Sequence, residues 1–312
     1  MLLNMPDWVK EVPYQIKAIA IKDACTAVKQ CKKMYQQTQQ FHEAKYRSRH
    51  DPKQTVFIPK SAMSKHGVYY TLLGKLKSYE NIPQPKGDCR LTLENGRWFI
   101  NVPIAMDVRA ENQSRIVAVD PGVRSFITFF SPKSCGKLGA GDFSRIQRLC
   151  HHLDDLISRM SKAVRQQRYK MKKAAKRMRW KIKDLIDELH HKATLFLVEN
   201  FDVILIPKFE TSEMSKKAQR KIRAKSVRSM LTFAHFRFQE FLKFKASEYG
   251  KQVVNVNEAY TSKTCSWNGI IKEIGGAKYI KDENIVVDRD YNGARGIFLR
   301  ALRDSAIYSC TA

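Results

Sequence analysis

An α/β fold with a smaller helix-and-strand piece ahead of it is what this sequence predicts, on three observations. RIVAVDPG from Arg115, FDVILIP at 201–207 and KQVVNVNEA at 251–259 are short apolar runs of the kind that form buried strands. Helical stretches at 145–198 and 224–248 alternate with the last two of these runs. An Asn95-Gly96 pair between alternating runs marks a hairpin in a separate β module.

The elements follow in order. Residues 14–47 carry apolar side chains at helical spacing without Gly or Pro, which predicts one or two helices packed through Ile16, Ile19, Ala20, Ala27, Val28 and Met34. From 54 to 105 the pattern changes to strands: TVFIP, GVYYTLLG and CRLTLENGRWFINVP. RIVAVDPG ends in a tight turn, SFITFF is a second strand, and a third lies near Gly136–Ala140. The charged region 145–198 reads as a helical hairpin. In 224–248, Phe233, Phe236, Phe241 and Phe244 stand at offsets of 3, 8 and 11, which predicts one shared core face. A final helix covers 289–303. Three early strands, then alternating helix and strand, is the ribonuclease H-like ordering. It places the first strand and the two late ones parallel in the sheet's centre, with their C-terminal ends at one crevice.

Composition narrows the partners. The chain has 312 residues with 57 Lys and Arg against 30 Asp and Glu, a net charge of +27. With 43% hydrophobic residues it is not a disordered basic tail, and a folded body this cationic calls for a polyanion, nucleic acid first. The most apolar stretch, Thr194–Pro207, is interrupted by Glu199 and Asp202, so no membrane span or membrane partner is expected. MLLNMPDWVK lacks the pattern of a secretory signal. Seven cysteines without a C-x-x-C point to a reducing, intracellular compartment.

Phosphodiester hydrolysis is well served by hard metal ions held by convergent carboxylates. Asp120 closes the first strand, Glu258 closes the last, and Asp290 opens the final helix in DRDYNGARGI. Each alone has an ordinary explanation, as a turn residue, a solvated charge and a helix cap. Together they fall on elements that share one crevice.

IVAVDPGVRSF, PKFETSEM, NEAYTSKTCSWNG and VVDRDYNGARGI resemble the RuvC-like nuclease of the transposon-encoded TnpB proteins, above all the Fanzor branch of eukaryotes and giant viruses, relatives of type V CRISPR effectors. The resemblance covers roughly 115–303 closely and 1–110 loosely. It implies a RuvC-type, RNase H-like nuclease domain over 111–312 that uses divalent metal, a pair of Mg²⁺ ions, to cut DNA chosen by a guide RNA. It also implies a helical recognition piece and β wedge module over 1–110. Carried over, Asp120 matches the first metal-binding aspartate and Asp290 the last. For the middle glutamate, the prokaryotic position after VILI is Pro207 here, with Glu210 three residues on; Glu258, at the end of the next strand, is preferred.

Two features depart from the family pattern. Its zinc ribbon needs two C-x-x-C pairs, whereas the insert at 262–287 keeps Cys265 and has Asn268 as its partner. The second pair falls near Ile280 and Glu283, with no Cys or His between 266 and 288. No zinc is expected; the insert is expected either to be held by packing of Trp267, Ile270, Ile271, Tyr279 and Ile280 or to be mobile. Against the family pattern, the chain is also expected to begin inside the recognition piece, short of an opening strand and helix.

Eleven Lys or Arg without an acid fill Lys162–Lys183, and a second basic run covers 216–228. Arg165, Arg168, Lys172, Lys176, Arg179 and Lys183 share a helix face after Lys162, a stripe suited to a phosphate backbone. Lys216, Lys217, Arg220 and Arg223 extend the candidate surface. Tyr169 and Trp180 are read as core anchors of the hairpin, and the eight histidines receive no role. Arg289 and Arg295 flank the carboxylates, as scissile-strand contacts or as plain helix-surface charges. The expected activity is an RNA-guided, Mg²⁺-dependent DNA endonuclease of a transposable element, acting with guide RNA and target DNA, in the nucleus if the host is eukaryotic. A non-cutting nucleic-acid-binding relic and an unguided structure-selective nuclease stay open beside it, and oligomeric state is not indicated.

Overall fold

The structure, a computed structural model, describes residues 6–45, 48, 51–105, 115–122, 124–207, 231–272, 277–282 and 285–310. The chain divides into two compact units, Met1–Met106 and Asp107–Ala312.

The first unit comprises α1 (Asp7–Lys10), α2 (Tyr14–Thr38), β1 (Lys53–Ile58), β2 (Met63–Ser64), β3 (Gly67–Val68), α3 (Tyr70–Leu73), β4 (Cys89–Glu94) and β5 (Arg97–Asn101). Strands β1, β4 and β5 form an antiparallel sheet in that order over a small core of Ile58, Val68 and Cys89. Asn95 and Gly96 both adopt positive φ, 48° and 84°, the two-residue turn their sequence calls for. Two expectations fail here. Helix α2 stops at Thr38, where Gln39 turns left-handed at φ 55°, and none of its residues is buried: Val28 and Met34 are 47% and 45% exposed. Helical periodicity predicts the helix but not a partner for its face. GVYYTLLG is not a strand either, because Tyr69 at φ 43° turns the chain from β3 into α3.

The second unit holds β6 (Ile116–Pro121), β7 (Ile127–Ser131), β8 (Ser134–Leu138), α4 (Asp142–Lys162), α5 (Arg165–Asn200), β9 (Val203–Pro207), α6 (His235–Glu248), β10 (Gln252–Val256), β11 (Tyr279–Asp282), β12 (Ile285–Asp288) and α7 (Arg289–Cys310). Its five-stranded sheet runs β10-β9-β6-β7-β8. Strands β6, β9 and β10 are mutually parallel, while β7 and β8 return antiparallel. This is the ribonuclease H-like order, with β10 at the sheet's edge rather than its centre.

Alternation sorts the side chains of each strand. Val117 and Val119 of β6, Ile127 and Phe129 of β7, and Ile204 and Ile206 of β9 meet the buried faces of α4, α5 and α6. Ala118 and Leu205 meet Ile297 and Phe298 of α7 on the opposite side. The expected Phe stripe is not a core face. Phe233 is buried, but Ala234 turns left-handed at φ 50° and restarts the helix, so α6 buries His235, Phe238, Gln239, Leu242 and Ala246. Phe236 and Phe244 are 63% and 57% exposed.

The N-terminal ends of the three parallel strands share one carboxylate. Asp202 Oδ2 accepts from the Arg115 backbone N–H at 2.8 Å and from Arg115 Nε at 3.3 Å, and Oδ1 accepts from Lys251 Nζ at 2.6 Å. The Asp202 and Lys251 side chains are 1% and 6% exposed.

Candidate functional site

Asp120, Glu258 and Asp290 stand at the opposite end of the same strands. Asp120 lies near the end of β6, on the face that α7 covers; Glu258 follows β10 by two residues; Asp290 is in the first turn of α7. Protein packs closely about the Asp120 carboxyl, and this burial is the main reason its pKa rises to about 8. The charges of Glu258 and then Asp290 push the same way, and that of Arg289 opposes them. Burial also raises the pKa of Glu258. The structure therefore brings Glu258 and Asp290 within electrostatic reach of Asp120. Glu210 lies outside the described residues.

The residues between the carboxylates explain the DRDYNGA and YTSKTCS segments. A Cβ at Gly293 would sit 2.5 Å from Asp120 Oδ2, so a larger residue there would turn that carboxylate aside from its present position. Asn292, fully buried, donates to the Thr264 carbonyl and accepts from the Ser266 N–H, both at 2.8 Å, which clasps the loop after β10 to α7. Thr261 in that loop donates to the Glu258 carbonyl at 2.8 Å and packs against Gly296. His235 Nε2 donates to the Gly122 carbonyl at 3.1 Å, tying α6 to the turn after Asp120. His190 and His235 sandwich Phe126, with ring centroids at 5.2 and 5.1 Å, and burial lowers both pKa values to about 4. Sequence reasoning gave these histidines no role; only the tertiary contacts disclose one.

Lys137 and Asp288 were also missed. Lys137 Nζ donates to Asp288 Oδ2 at 2.7 Å and to Asp290 Oδ2 at 3.3 Å, and lies 5.0 Å from the Tyr291 ring centre. Asp288 Oδ1 accepts from the Asp290 N–H at 2.9 Å and caps α7. Register alone placed the lysine: Asp120 pairs with Thr128, and Thr128 pairs with Lys137, so all three project from one face of the sheet. Carboxylate oxygens suit a hard divalent cation, and the space left by Gly293 keeps Asp120 open toward α7. Among the described residues, no three His, Cys, Asp or Glu side chains stand close enough to enclose one ion. Asp290 is meanwhile engaged by Lys137.

The insert is held differently from expectation. Ile270, Ile271 and Tyr279 are 52%, 61% and 48% exposed, so packing is not its main support, although Ile280 is buried. Instead Asp282 on β11 accepts from Trp267 Nε1 at 3.2 Å, Asn268 Nδ2 at 2.5 Å and Lys272 Nζ, and the lysine leads in lowering its pKa. Cys265 is fully buried beside this network. On α5, Arg165, Arg168, Lys172, Lys176 and Arg179 are exposed, as is Lys162 at the end of α4. Lys183 is half-buried with its ammonium 4.9 Å from the Trp180 ring centre. Trp180 is a core anchor at 6% exposure, whereas Tyr169 is 61% exposed and lies under Lys173, so it is not one. Lys216, Lys217, Arg220 and Arg223 lie outside the described residues. No helix among the described residues is long and apolar enough to cross a membrane.

Residues 235–297 match the sequence model described as Cas12f1-like, TNB domain. TnpB-like protein L79 of Acanthamoeba polyphaga mimivirus is 25% identical over 66% of this chain and 41% of its own length. InsQ of Escherichia coli K12, whose name provisionally gives it as an RNA-guided DNA endonuclease, is 25% identical over 93% of this chain and 75% of its own. The chain thus spans about 41% of the mimivirus relative's length. Among solved structures, the protein of a Cas12f1–sgRNA–target DNA complex is 17% identical, with a TM-score of 0.43 over 85% of this chain and 74% of that one.

Proposed function

We propose that this TnpB-like chain is a divalent-metal-dependent nuclease that cuts DNA selected by a guide RNA, with Asp120, Glu258 and Asp290 as its metal-holding carboxylates. One observation carries the reading: Asp120 is crowded by protein and by two further carboxylates, which raises its pKa to about 8. A like-charged group of this kind gains most from a cation of charge two or more. A bound ion of the Mg²⁺ type would supply activation of water and stabilisation of the leaving oxygen.

The protein's own residues do the positioning. Gly293 keeps the approach to Asp120 clear. Asn292 and Thr261 fix the loop that carries Glu258. His235 fixes the turn after Asp120. The exposed cations of α5, with Lys162, form the surface for a phosphate backbone. The name of InsQ supports a guide RNA and target DNA as the partners of the acidic site. Such a partnership belongs inside the cell, in the nucleus of a eukaryotic host.

Plasmid-library cleavage in Mg²⁺, by protein co-expressed with RNA from its flanking locus, tests the proposal beside Asp120→Ala and Asp290→Ala. Cleavage that both variants and RNase treatment abolish is the expected result. A folded protein that binds RNA and does not cut would instead be a relic. Cutting of branched DNA without RNA would make it an unguided structure-selective nuclease.

A further inference from the structure

We propose that Lys137 is a tethered counter-ion for the carboxylate site, which holds Asp290 in the metal-free protein and must yield it when a divalent cation loads. The inference rests on the carboxylate reading above, and four features of the structure support it. Lys137 shares a sheet face with Asp120 through Thr128, so the strand register fixes its position. Its side chain is 20% exposed, and those of Asp288 and Asp290 are 15% and 25% exposed, so the three charges are substantially shielded from water. Its two contacts are unequal: 2.7 Å to Asp288 is a full charge-assisted hydrogen bond, whereas 3.3 Å to Asp290 is long for one. Asp288 is itself fixed by capping the Asp290 N–H.

The asymmetry gives the lysine a resting place and a releasable grip. Asp288 retains the ammonium when Asp290 turns away, so no charge is stranded by the exchange. Lys137 and a divalent cation compete for the same Asp290 oxygen, and by linkage whatever strengthens one weakens the other. The lysine therefore sets the divalent concentration at which the site fills, and it acts as a positioning residue.

The test is Mn²⁺ binding to the full-length chain without nucleic acid, read by the electron paramagnetic resonance of free Mn²⁺. The proteins compared are wild type, Lys137→Met, Lys137→Arg, Arg295→Gln and Asp120→Asn. Lys137→Met should bind Mn²⁺ about tenfold more tightly, the loss of one competing ion pair. Lys137→Arg, which keeps the cation, should not tighten binding. Arg295→Gln removes one positive charge from α7 without touching a carboxylate pair and should shift affinity less than about twofold. Thermal denaturation in EDTA should show Lys137→Met melting below wild type and recovering the difference in Mn²⁺, which also reports that it folds. Unchanged or weaker Mn²⁺ binding by Lys137→Met overturns the counter-ion role, and so does equal tightening by Arg295→Gln. If Asp120→Asn binds Mn²⁺ as wild type does, the carboxylate reading itself falls and the inference with it.

Discussion

The parallel strands of the second unit carry an enclosed aspartate at each end, and the two are treated in opposite ways. Asp202, at the N-terminal end, is matched by Lys251 and Arg115 and ties the starts of β6, β9 and β10 together. Asp120, at the C-terminal end, faces Glu258 and Asp290, and its pKa is pushed up to about 8. Asp202 is buried and Asp120 half-buried, but the larger difference is the sign of the neighbours. A carboxylate given its cations by the chain serves the fold, while one given more carboxylates is left, on the function proposed above, to a cation supplied from outside.

The largest effect expected from this contrast is on cleavage. Asp120→Asn should lower plasmid cutting by about a thousandfold or more by removing a metal-holding charge, while its urea midpoint without metal stays level or rises. A clear drop in that midpoint would make Asp120 a structural residue like Asp202. Asp202→Asn should do the reverse, costing about 3–5 kcal/mol because the Lys251 ammonium stays buried without its partner. Urea unfolding measures this, and a change below about 1 kcal/mol would break the contrast at its structural end.

Acid titration separates the groups further. His190 and His235 have pKa values lowered from 6.5 to about 4, so the unfolded chain takes up protons that the fold excludes. Stability therefore falls as pH drops from about 6.5 toward 4, at about 1.4 kcal/mol for each tenfold weakening of proton binding and so by a few kcal/mol in all. Asp120, raised from 3.8 to about 8, works against this: the fold holds a proton there that the unfolded chain releases. Its contribution is present at low pH and is lost as pH rises toward 8. In metal-free Asp120→Asn the acid-side loss should steepen, and identical slopes in the two proteins would contradict the assignment.

The smallest effect concerns the insert. Asp282→Ala should speed amide exchange over 264–271 and red-shift Trp267 fluorescence while the melting temperature moves by about 2 °C or less. A zinc-selective chelator should change none of these. A loss of protection under the chelator would mean that a metal, rather than the Asp282 network, holds the lobe.

Much of this was legible in the residues. Apolar runs disclosed β6, β9 and β10, and strand-end geometry then singled out Asp120 and Glu258, because period-two burial and parallel pairing are local and topological properties. Lys137 was not legible, since its position depends on register across two antiparallel pairings. The Phe stripe misled because one left-handed residue, Ala234, resets the helical phase that the offsets assume. GVYYTLLG misled for the same reason at Tyr69. In the insert, counting zinc ligands removes the reason to expect a ribbon site. It could not reveal Asp282, whose three donors come from residues 10 to 15 positions away.

Gly293 carries a consequence for how such a chain is disarmed. Replacing its glycine codon by an alanine codon takes one nucleotide change, and the added methyl carbon would stand 2.5 Å from Asp120 Oδ2. The carboxyl group would have to swing aside with every acidic residue still in the sequence. On the function proposed above, a copy silenced this way would pass inspection of its aspartates and glutamate, so the health of the gene would be read as much from one absent side chain as from the three that are present.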